Sequence, residues 1–234
     1  MVRLYAADAA AVTAAPTIKI CGLSTAATLE AALLAGADMV GFVFFPKSPR
    51  HISFDMAREL GAQARGRATI VALSVDADDA MLNTIIVALR PDLLQLHGQE
   101  SSARVATIRR RFGLPVMKAI GIGARADLAH IPAYAAVADH LLFDAKPPRD
   151  AALPGGNGRA FDWTLLQGLD LPVPHMLSGG LEPGNVGEAI SITRAPGVDV
   201  SSGVESAPGV KVEAMIRAFV ASARRGFATL QEHK

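Results

Sequence analysis

Cys21 is the residue of this chain whose chemistry is easiest to isolate. It is the only cysteine among 234 residues, and it ends the apolar run Ile18-Lys19-Ile20 just before Gly22. A single thiol cannot form an intramolecular disulfide, and the chain has no second cysteine or paired histidines at ligand spacing that would indicate a metal site. Cys21 is therefore either a small buried hydrophobe or a reactive group.

Two short segments rich in serine and glycine suggest a second kind of chemistry. They are Ser178-Gly179-Gly180 and Ser201-Ser202-Gly203, each directly after an apolar run. Small residues let backbone amides come close to an anion, so the pair predicts a site for a phosphorylated ligand. The alternative interpretation is that both segments are tight turns.

The elements that must position these residues follow a repeating pattern. A short β-branched or apolar run is followed by a turn and then by a longer Ala/Leu-rich segment with helical spacing. Eight such units can be counted, with strands predicted at residues 17–21, 39–44, 69–75, 93–96, 116–120, 140–144, 174–178 and 198–201. Helices are predicted at residues 26–35, 55–64, 78–89, 100–112, 185–193 and 210–224, with Gly36, Gly113 and Gly197 as C-terminal caps.

This alternation predicts an α/β protein with a single (β/α)8 TIM barrel. Parallel strands joined by helical crossovers form either a closed barrel or an open doubly wound sheet. Eight repeats without a dinucleotide-binding glycine motif favour the barrel. In that fold the active site lies at the carboxyl ends of the strands, and the ends of strands seven and eight commonly bind phosphate.

Composition sets the remaining expectations. Half of the residues are hydrophobic, and 23 basic against 22 acidic side chains give a net charge of +1, which provides no electrostatic case for a nucleic-acid or membrane partner. We expect a loosely ordered extension at residues 1–16, a barrel domain at 17–226 and a tail at 227–234. The low cysteine usage favours a cytoplasmic location, and the sequence does not distinguish a monomer from a homodimer.

Taken together and in order, the motifs resemble the phosphoribosylanthranilate isomerase family, a TIM-barrel family of tryptophan biosynthesis. The resemblance runs from about Thr17 to Phe219. Its motifs are Lys19-Ile20-Cys21-Gly22, Gly41-Phe42-Val43-Phe44, Pro46-Lys47-Ser48-Pro49-Arg50, Gln95-Leu96-His97-Gly98, Phe143-Asp144-Ala145-Lys146, Gly155-Gly156, Phe161-Asp162-Trp163, Ser178-Gly179-Gly180-Leu181 and Asp199-Val200-Ser201-Ser202-Gly203-Val204-Glu205.

The resemblance implies an acid–base Amadori rearrangement of a small phosphosugar-anthranilate substrate, without cofactor or metal. In it Cys21 is the general base, Asp144 the general acid, and Arg50 the residue that binds the anthranilate carboxylate. On their residue types alone, Asp144 is equally well a turn or capping residue, and Arg50 a solvated loop arginine.

Other polar residues receive supporting roles. Lys19 shares strand parity with Cys21, so both are expected to face the barrel interior, where the cation favours a thiolate. Asp199 is expected to pair with Lys19, and Gln95 and His97 to support the site. The substrate phosphate is assigned to Gly179, Gly180, Ser201, Ser202 and Gly203. Residues 155–158 form the expected lid.

Two other functions stay open on the sequence alone. One is a different phosphosugar isomerase on the same barrel, such as that of histidine synthesis, in which paired carboxylates are expected where this chain has Cys21. The other is a phosphate-ligand binding module without catalysis, which would keep both Ser/Gly segments and be indifferent to Cys21 and Asp144.

Overall fold

The fold is a closed barrel of eight parallel strands in the order β1 to β8, as the sequence predicts. The structure is a computed structural model, and it describes residues 15–146, 155 and 160–232. Residues 1–14 of the expected extension at 1–16, most of the expected lid and the last two residues of the tail lie outside these ranges. The strands span Thr17–Cys21, Met39–Phe44, Thr69–Ser74, Leu93–Leu96, Val116–Ile122, His140–Ala145, His175–Leu177 and Gly197–Val200.

Helices cover the outside of the barrel. Helices α1 to α7 span Ala26–Ala35, Phe54–Ala64, Asp79–Leu89, Ser102–Phe112, Ile131–Ala135, Val186–Thr193 and Glu213–Glu232. Short 3-10 helices lie at Arg125–His130, Trp163–Leu166 and Ser202–Val204. The first four α-helices each begin after a Ser, Thr or Asp whose side chain accepts a hydrogen bond from a backbone N–H three residues on.

Closure of the barrel is made by β1, which pairs with both β2 and β8. Lys19 lies opposite Met39 on one side and opposite Asp199 on the other. Partners in a parallel register point to the same face of the sheet, so Lys19 and Asp199 project together. Alternate residues of the strands form the interior of the barrel, where Val71, Leu93, Met117, Leu142 and Met176 pack as one apolar cluster.

Several predicted boundaries are wrong. Gly197 is the first residue of β8 and not a helix cap, and Arg194, with φ of 52°, ends α6 instead. The predicted helix at 210–224 begins later, because Glu205–Ala207 (β9) and Val210–Lys211 (β10) form an antiparallel hairpin. Helix α7 then continues to Glu232. The 3-10 helices and α5 were not predicted.

Phe227 shows how far the folded part extends. It was assigned to the tail, yet it is 5% exposed and belongs to the main core between strands and helices. No helix in the described part of the chain is long and apolar enough to cross a membrane.

We expect Phe227→Ala to lower the free energy of unfolding by about 3 to 5 kcal/mol, because it removes a buried aromatic side chain and leaves a cavity. Leu34→Ala on α1, where the side chain is 76% exposed, is the matched control and should change stability by less than about 0.5 kcal/mol. Denaturant titration with an unchanged m-value measures both. Equal effects of the two substitutions would show that the end of α7 is not part of the core.

Candidate active site

A buried ion pair lies inside the barrel at the seam between β1 and β8. Lys19 Nζ donates to Asp199 Oδ1 at 2.7 Å, and the two side chains are 0% and 5% exposed. Ser178 Oγ donates to the other carboxylate oxygen at 3.2 Å. The pairing expected from strand parity is therefore present, and burial without a partner would be costly for either charge.

Cys21 lies two residues beyond Lys19, at the carboxyl end of β1, and is also buried. Gly41 on β2 is packed against it so closely that a Cβ there would lie 2.9 Å from Cys21 Sγ. Any side chain at position 41 would displace the thiol. The site thus depends on a glycine in the neighbouring strand.

The pKa of Cys21 is set by opposing effects of burial and of neighbouring charges. Burial raises the pKa of the thiol, and the charge of Asp199 adds to that effect, while Lys19 and Lys211 oppose it. The expected effect of Lys19, which favours the thiolate, is present, but burial prevails and the net shift of the Cys21 pKa is upward. Burial also opposes charge on Lys19, but Asp199 and Cys21 outweigh it and hold the pKa of Lys19 above its usual value.

Asp144 lies at the carboxyl end of β6 and is 5% exposed. Its Oδ1 accepts the N–H of Ala145 at 2.8 Å, and its Oδ2 lies 3.2 Å from His97 Nε2. His97 Nδ1 in turn lies 3.0 Å from Gln95 Nε2. Gln95 and His97, which the sequence analysis assigned to support the site, therefore lie next to the proposed acid Asp144 and not next to the proposed base Cys21.

Glycines from two loops close around Asp144. A Cβ at Gly179 would lie 3.0 Å from Asp144 Oδ1, and one at Gly155 would lie 2.6 Å from Oδ2. Gly155 is the only described residue of the expected lid, and Gly156 to Gly158 lie outside the described ranges. Both approaches are possible only without a side chain.

Arg50 does not extend into solvent. It is 5% exposed, and its Nε and Nη2 donate to the two carboxylate oxygens of Glu205 at 2.8 Å each. A Cβ at Gly22 would lie 2.6 Å from Arg50 Cδ, so the arginine stem packs against the turn that follows Cys21. The bidentate geometry expected for a substrate carboxylate is made here with Glu205.

Lys211 completes this second charged group. Its Nζ donates to Glu205 Oε1 at 2.7 Å and to the carbonyl oxygen of Ser201 at 2.9 Å. Although burial opposes ionisation, Arg50 and Lys211 hold the pKa of Glu205 below its usual value. Burial lowers the pKa of Lys211, against the effect of Glu205.

The sequence-based assignment missed Glu205 and Lys211. The signal was the Ala207-Pro208-Gly209-Val210 segment, which is typical of a turn and brings Glu205 and Lys211 opposite each other in the β9–β10 hairpin. A helix was predicted there, and a helix would not have paired them. Lys118 and Glu100 were missed as well, and they form a buried pair at 2.8 Å that ties the loop after β4 to β5.

The two Ser/Gly segments adjoin. Gly179 and Gly180 have φ of 84° and 67°, and a Cβ at Gly203 would collide with the carbonyl oxygen of Leu181. Ser201 Oγ donates to the carbonyl oxygen of Cys21 at 3.2 Å, and Ser202 and Gly203 lie in the 3-10 helix that follows β8. The loops after β7 and β8 therefore form one surface beside Cys21.

Ser178 connects the two halves of the site. Its N–H donates to the carbonyl oxygen of Phe143 at 2.7 Å, next to Asp144, and its hydroxyl donates to Asp199. Cys21, Lys19, Asp199, Ser201 and Arg50 are thus grouped around β1 and β8. The second group, around β4 and β6, consists of Asp144, His97, Gln95 and Gly179.

A closed (β/α)8 barrel with titratable side chains at the carboxyl ends of its strands defines the class of TIM-barrel enzymes. The model of one family, described as N-(5'phosphoribosyl)anthranilate (PRA) isomerase, matches residues 18–222. The chain belongs to the N-(5'-phosphoribosyl)anthranilate isomerase family.

Similar proteins agree with this assignment. The N-(5'-phosphoribosyl)anthranilate isomerase of Rhodopseudomonas palustris is 63% identical over 213 residues, which cover 91% of this chain and 98% of the relative. That of Nitrobacter winogradskyi is 65% identical, over 92% of this chain and 96% of its own. The crystal structure of phosphoribosyl anthranilate isomerase from Thermotoga maritima superposes with a TM-score of 0.79 at 32% identity, covering 90% and 99% of the two chains.

One further solved structure contains a ligand. It is a phosphoribosyl anthranilate isomerase in complex with reduced 1-(o-carboxyphenylamino)-1-deoxyribulose 5-phosphate, and it superposes with a TM-score of 0.76 at 32% identity, covering 90% of this chain and 99% of its own.

We expect Lys19→Met to slow alkylation of Cys21 by iodoacetamide, because it removes a cation that lowers the pKa of the thiol and leaves Asp199, which raises it. Lys47→Met, which removes an exposed lysine, is the control and should leave the rate unchanged. Alkylation rates measured as a function of pH, with circular dichroism to show that each variant is folded, test this. A Lys19→Met rate equal to that of the unchanged chain at every pH would contradict it.

Proposed function

We propose that this chain converts N-(5'-phosphoribosyl)anthranilate to 1-(o-carboxyphenylamino)-1-deoxyribulose 5-phosphate, the Amadori rearrangement of tryptophan biosynthesis. The observation that carries the proposal is the pair of buried groups, the Cys21 thiol and the Asp144 carboxyl, at the carboxyl ends of β1 and β6 in a member of this family. Both are groups that can move a proton at a bound ribose.

The chemistry requires one acid and one base. Asp144 protonates the furanose ring oxygen, and the bond from that oxygen to C1 breaks, which gives an open-chain iminium ion. The iminium makes the hydrogen on C2 acidic, and the thiolate of Cys21 removes it to form an enolamine. In the tautomerisation, C1 gains a proton from the Cys21 thiol and the C2 hydroxyl gives its proton to the Asp144 carboxylate. This gives the ketone and restores both groups, and the rearrangement has no net change in oxidation state.

The environment of Cys21 suits a base that is formed only when needed. A thiol with a raised pKa yields a more basic thiolate, although less of it is present at neutrality. Lys19 and Lys211 favour that thiolate electrostatically, and Asp199 keeps Lys19 charged. A thiolate at this position therefore lies beside two cations.

Arg50 is the proposed partner of the anthranilate carboxylate. Glu205 accepts hydrogen bonds from the Nε and Nη2 of Arg50, and these two bonds fix the plane of the guanidinium. A planar guanidinium held in this way is pre-oriented, and its geometry suits bidentate binding of a carboxylate. Lys211 keeps the local charge positive, because Glu205 is shared between two cations.

The phosphate is proposed to bind at the adjoining loops after β7 and β8. Gly179, Gly180 and Gly203 let backbone come close, and Ser201 and Ser202 add hydroxyl groups. With the phosphate there, the ribose extends toward the strand ends that bear Cys21 and Asp144. The proposed partner is thus a small phosphosugar-anthranilate substrate, and the proposed location is the cytoplasm.

Activity of the purified chain can be tested by the loss of anthranilate-type fluorescence from freshly generated phosphoribosylanthranilate. We expect rapid loss with the unchanged chain and a decrease in kcat of about 10²- to 10⁴-fold in Cys21→Ala and in Asp144→Asn, as for removal of a general acid or base. Asp55→Asn, at the start of α2 with an 89% exposed side chain, is the matched control and should keep full activity. No fluorescence change with the unchanged chain would overturn the substrate.

Arg50→Lys separates binding from chemistry. We expect it to raise KM about tenfold or more with a smaller change in kcat, because an ammonium cannot reproduce the planar double bond to Glu205 or to a carboxylate. Glu205→Gln should act in the same direction but more weakly, since a neutral amide still accepts one hydrogen bond. Arg58→Lys, on the exposed face of α2, is the control for replacing an arginine by a lysine and should leave KM unchanged. An unchanged KM in Arg50→Lys would exclude Arg50 from substrate binding.

A further inference from the structure

A chain of three side chains runs along the β4 side of the site and ends on the proposed acid. Gln95 Nε2 lies 3.0 Å from His97 Nδ1, and His97 Nε2 lies 3.2 Å from Asp144 Oδ2. Gln95 is fully buried, and the His97 and Asp144 side chains are 11% and 8% exposed. None of these contacts is used for substrate binding in the proposed mechanism.

The direction of these hydrogen bonds follows from the donors available. An amide nitrogen can only donate, so Nδ1 of His97 is the acceptor and carries no proton. A neutral imidazole then carries its proton on Nε2, which donates to Asp144 Oδ2. With the N–H of Ala145 on Oδ1, each oxygen of Asp144 faces one donor.

Gln95 is an unexpected residue for its position. It lies in the middle of β4, in register with Leu73 on one side and Met117 on the other, where apolar side chains pack. Its Oε1 has no hydrogen-bond partner within the described ranges. A buried amide that is only partly satisfied is less stable there than an apolar residue of similar size, so its bond to His97 is the feature that accounts for it.

We propose that Gln95 and His97 are positioning residues for the general acid. Gln95 holds His97 in the tautomer with the proton on Nε2, and His97 donates a hydrogen bond from that N–H group to Asp144. The inference rests on the proposed function. As Asp144 gives its proton to the ring oxygen, negative charge develops on its carboxylate, and a donor already in place stabilises that charge more in the transition state than before it.

Gly155 supports this arrangement sterically. A Cβ at this position would lie 2.5 Å from His97 Nε2 and 2.6 Å from Asp144 Oδ2, so the glycine backbone covers the bond between them. The close approach leaves no room for a side chain at position 155 beside this bond.

The tautomer can be measured in the free enzyme by ¹⁵N NMR of histidine-labelled protein, with the His97 signals identified by their loss in His97→Gln. His130→Gln, which removes an exposed histidine, is the control for that assignment. We expect His97 to be neutral and protonated on Nε2. In Gln95→Glu, whose carboxylate cannot donate, Nδ1 should become protonated. A proton on Nδ1 of His97 in the unchanged protein would overturn the proposal.

Kinetics test the catalytic consequence. Gln95→Met keeps the side-chain volume and removes the donor, and we expect kcat to fall about 10- to 100-fold with little change in KM, as for loss of one hydrogen bond to a developing charge. Gln95→Glu should also lower kcat, while Gln167→Glu, at an exposed position, should not. If the melting temperature falls but kcat stays unchanged in Gln95→Met, the residue is structural and the proposal fails.

The two measurements separate the possible failures. The NMR result does not depend on any substrate, and the activity of the unchanged chain is measured before that of the variants. An active unchanged chain with an unaffected Gln95→Met variant overturns only the positioning role. An unchanged chain inactive on phosphoribosylanthranilate overturns the proposed function, and with it the catalytic role of Gln95 and His97 in this reaction.

Discussion

The buried ion pair between Lys19 and Asp199 is the constraint around which the site is organised. Each charge alone would be strongly destabilising inside the barrel, and together they require strict register between β1 and β8. That register sets the position of Cys21 two residues further along β1. It also sets Ser201 two residues beyond Asp199, where its hydroxyl reaches the carbonyl of Cys21. The Lys19–Asp199 pair therefore contributes both to closure of the barrel and to the electrostatics of the thiol.

A second group of charges repeats this logic at the barrel mouth. Glu205 lies between Arg50 and Lys211, so one carboxylate orients the guanidinium of a loop after β2 and neutralises part of a buried ammonium after β8. Because Lys211 also acts on the thiol, the β9–β10 hairpin influences both the proposed carboxylate-binding group and the proposed base. The proposed acid on β6 is set apart from these charges, and its carboxyl oxygens contact His97, directly after β4, and the backbone N–H of Ala145.

The eight strands, their order and the residues at their carboxyl ends were predictable from the sequence, because apolar runs alternating with helical segments have few compact solutions. The Lys19–Asp199 pair followed from strand parity once closure was assumed. The β9–β10 hairpin was not predicted, since its short strands resemble the start of the amphipathic helix that follows. The extent to which Cys21 is buried could not be predicted either, because it depends on Gly41, Val43 and Leu73 of the neighbouring strands, and no local pattern records that packing. The partner of Arg50 was hidden for the same reason: Glu205 is distant in the chain and meets it only after folding.

The seam between the first and last strands has a consequence for biosynthesis. Lys19 and Asp199 are separated by 180 positions along the chain. During translation Lys19 is synthesised early and Asp199 near the end, so their contact must form late. The long separation also gives this contact a high loop-closure cost. A nascent chain that stops before β8 has an incomplete sheet and a lysine that must stay hydrated. Assembly of the reactive centre is thereby coupled to completion of the polypeptide, and prematurely terminated products carry a thiol without its electrostatic setting.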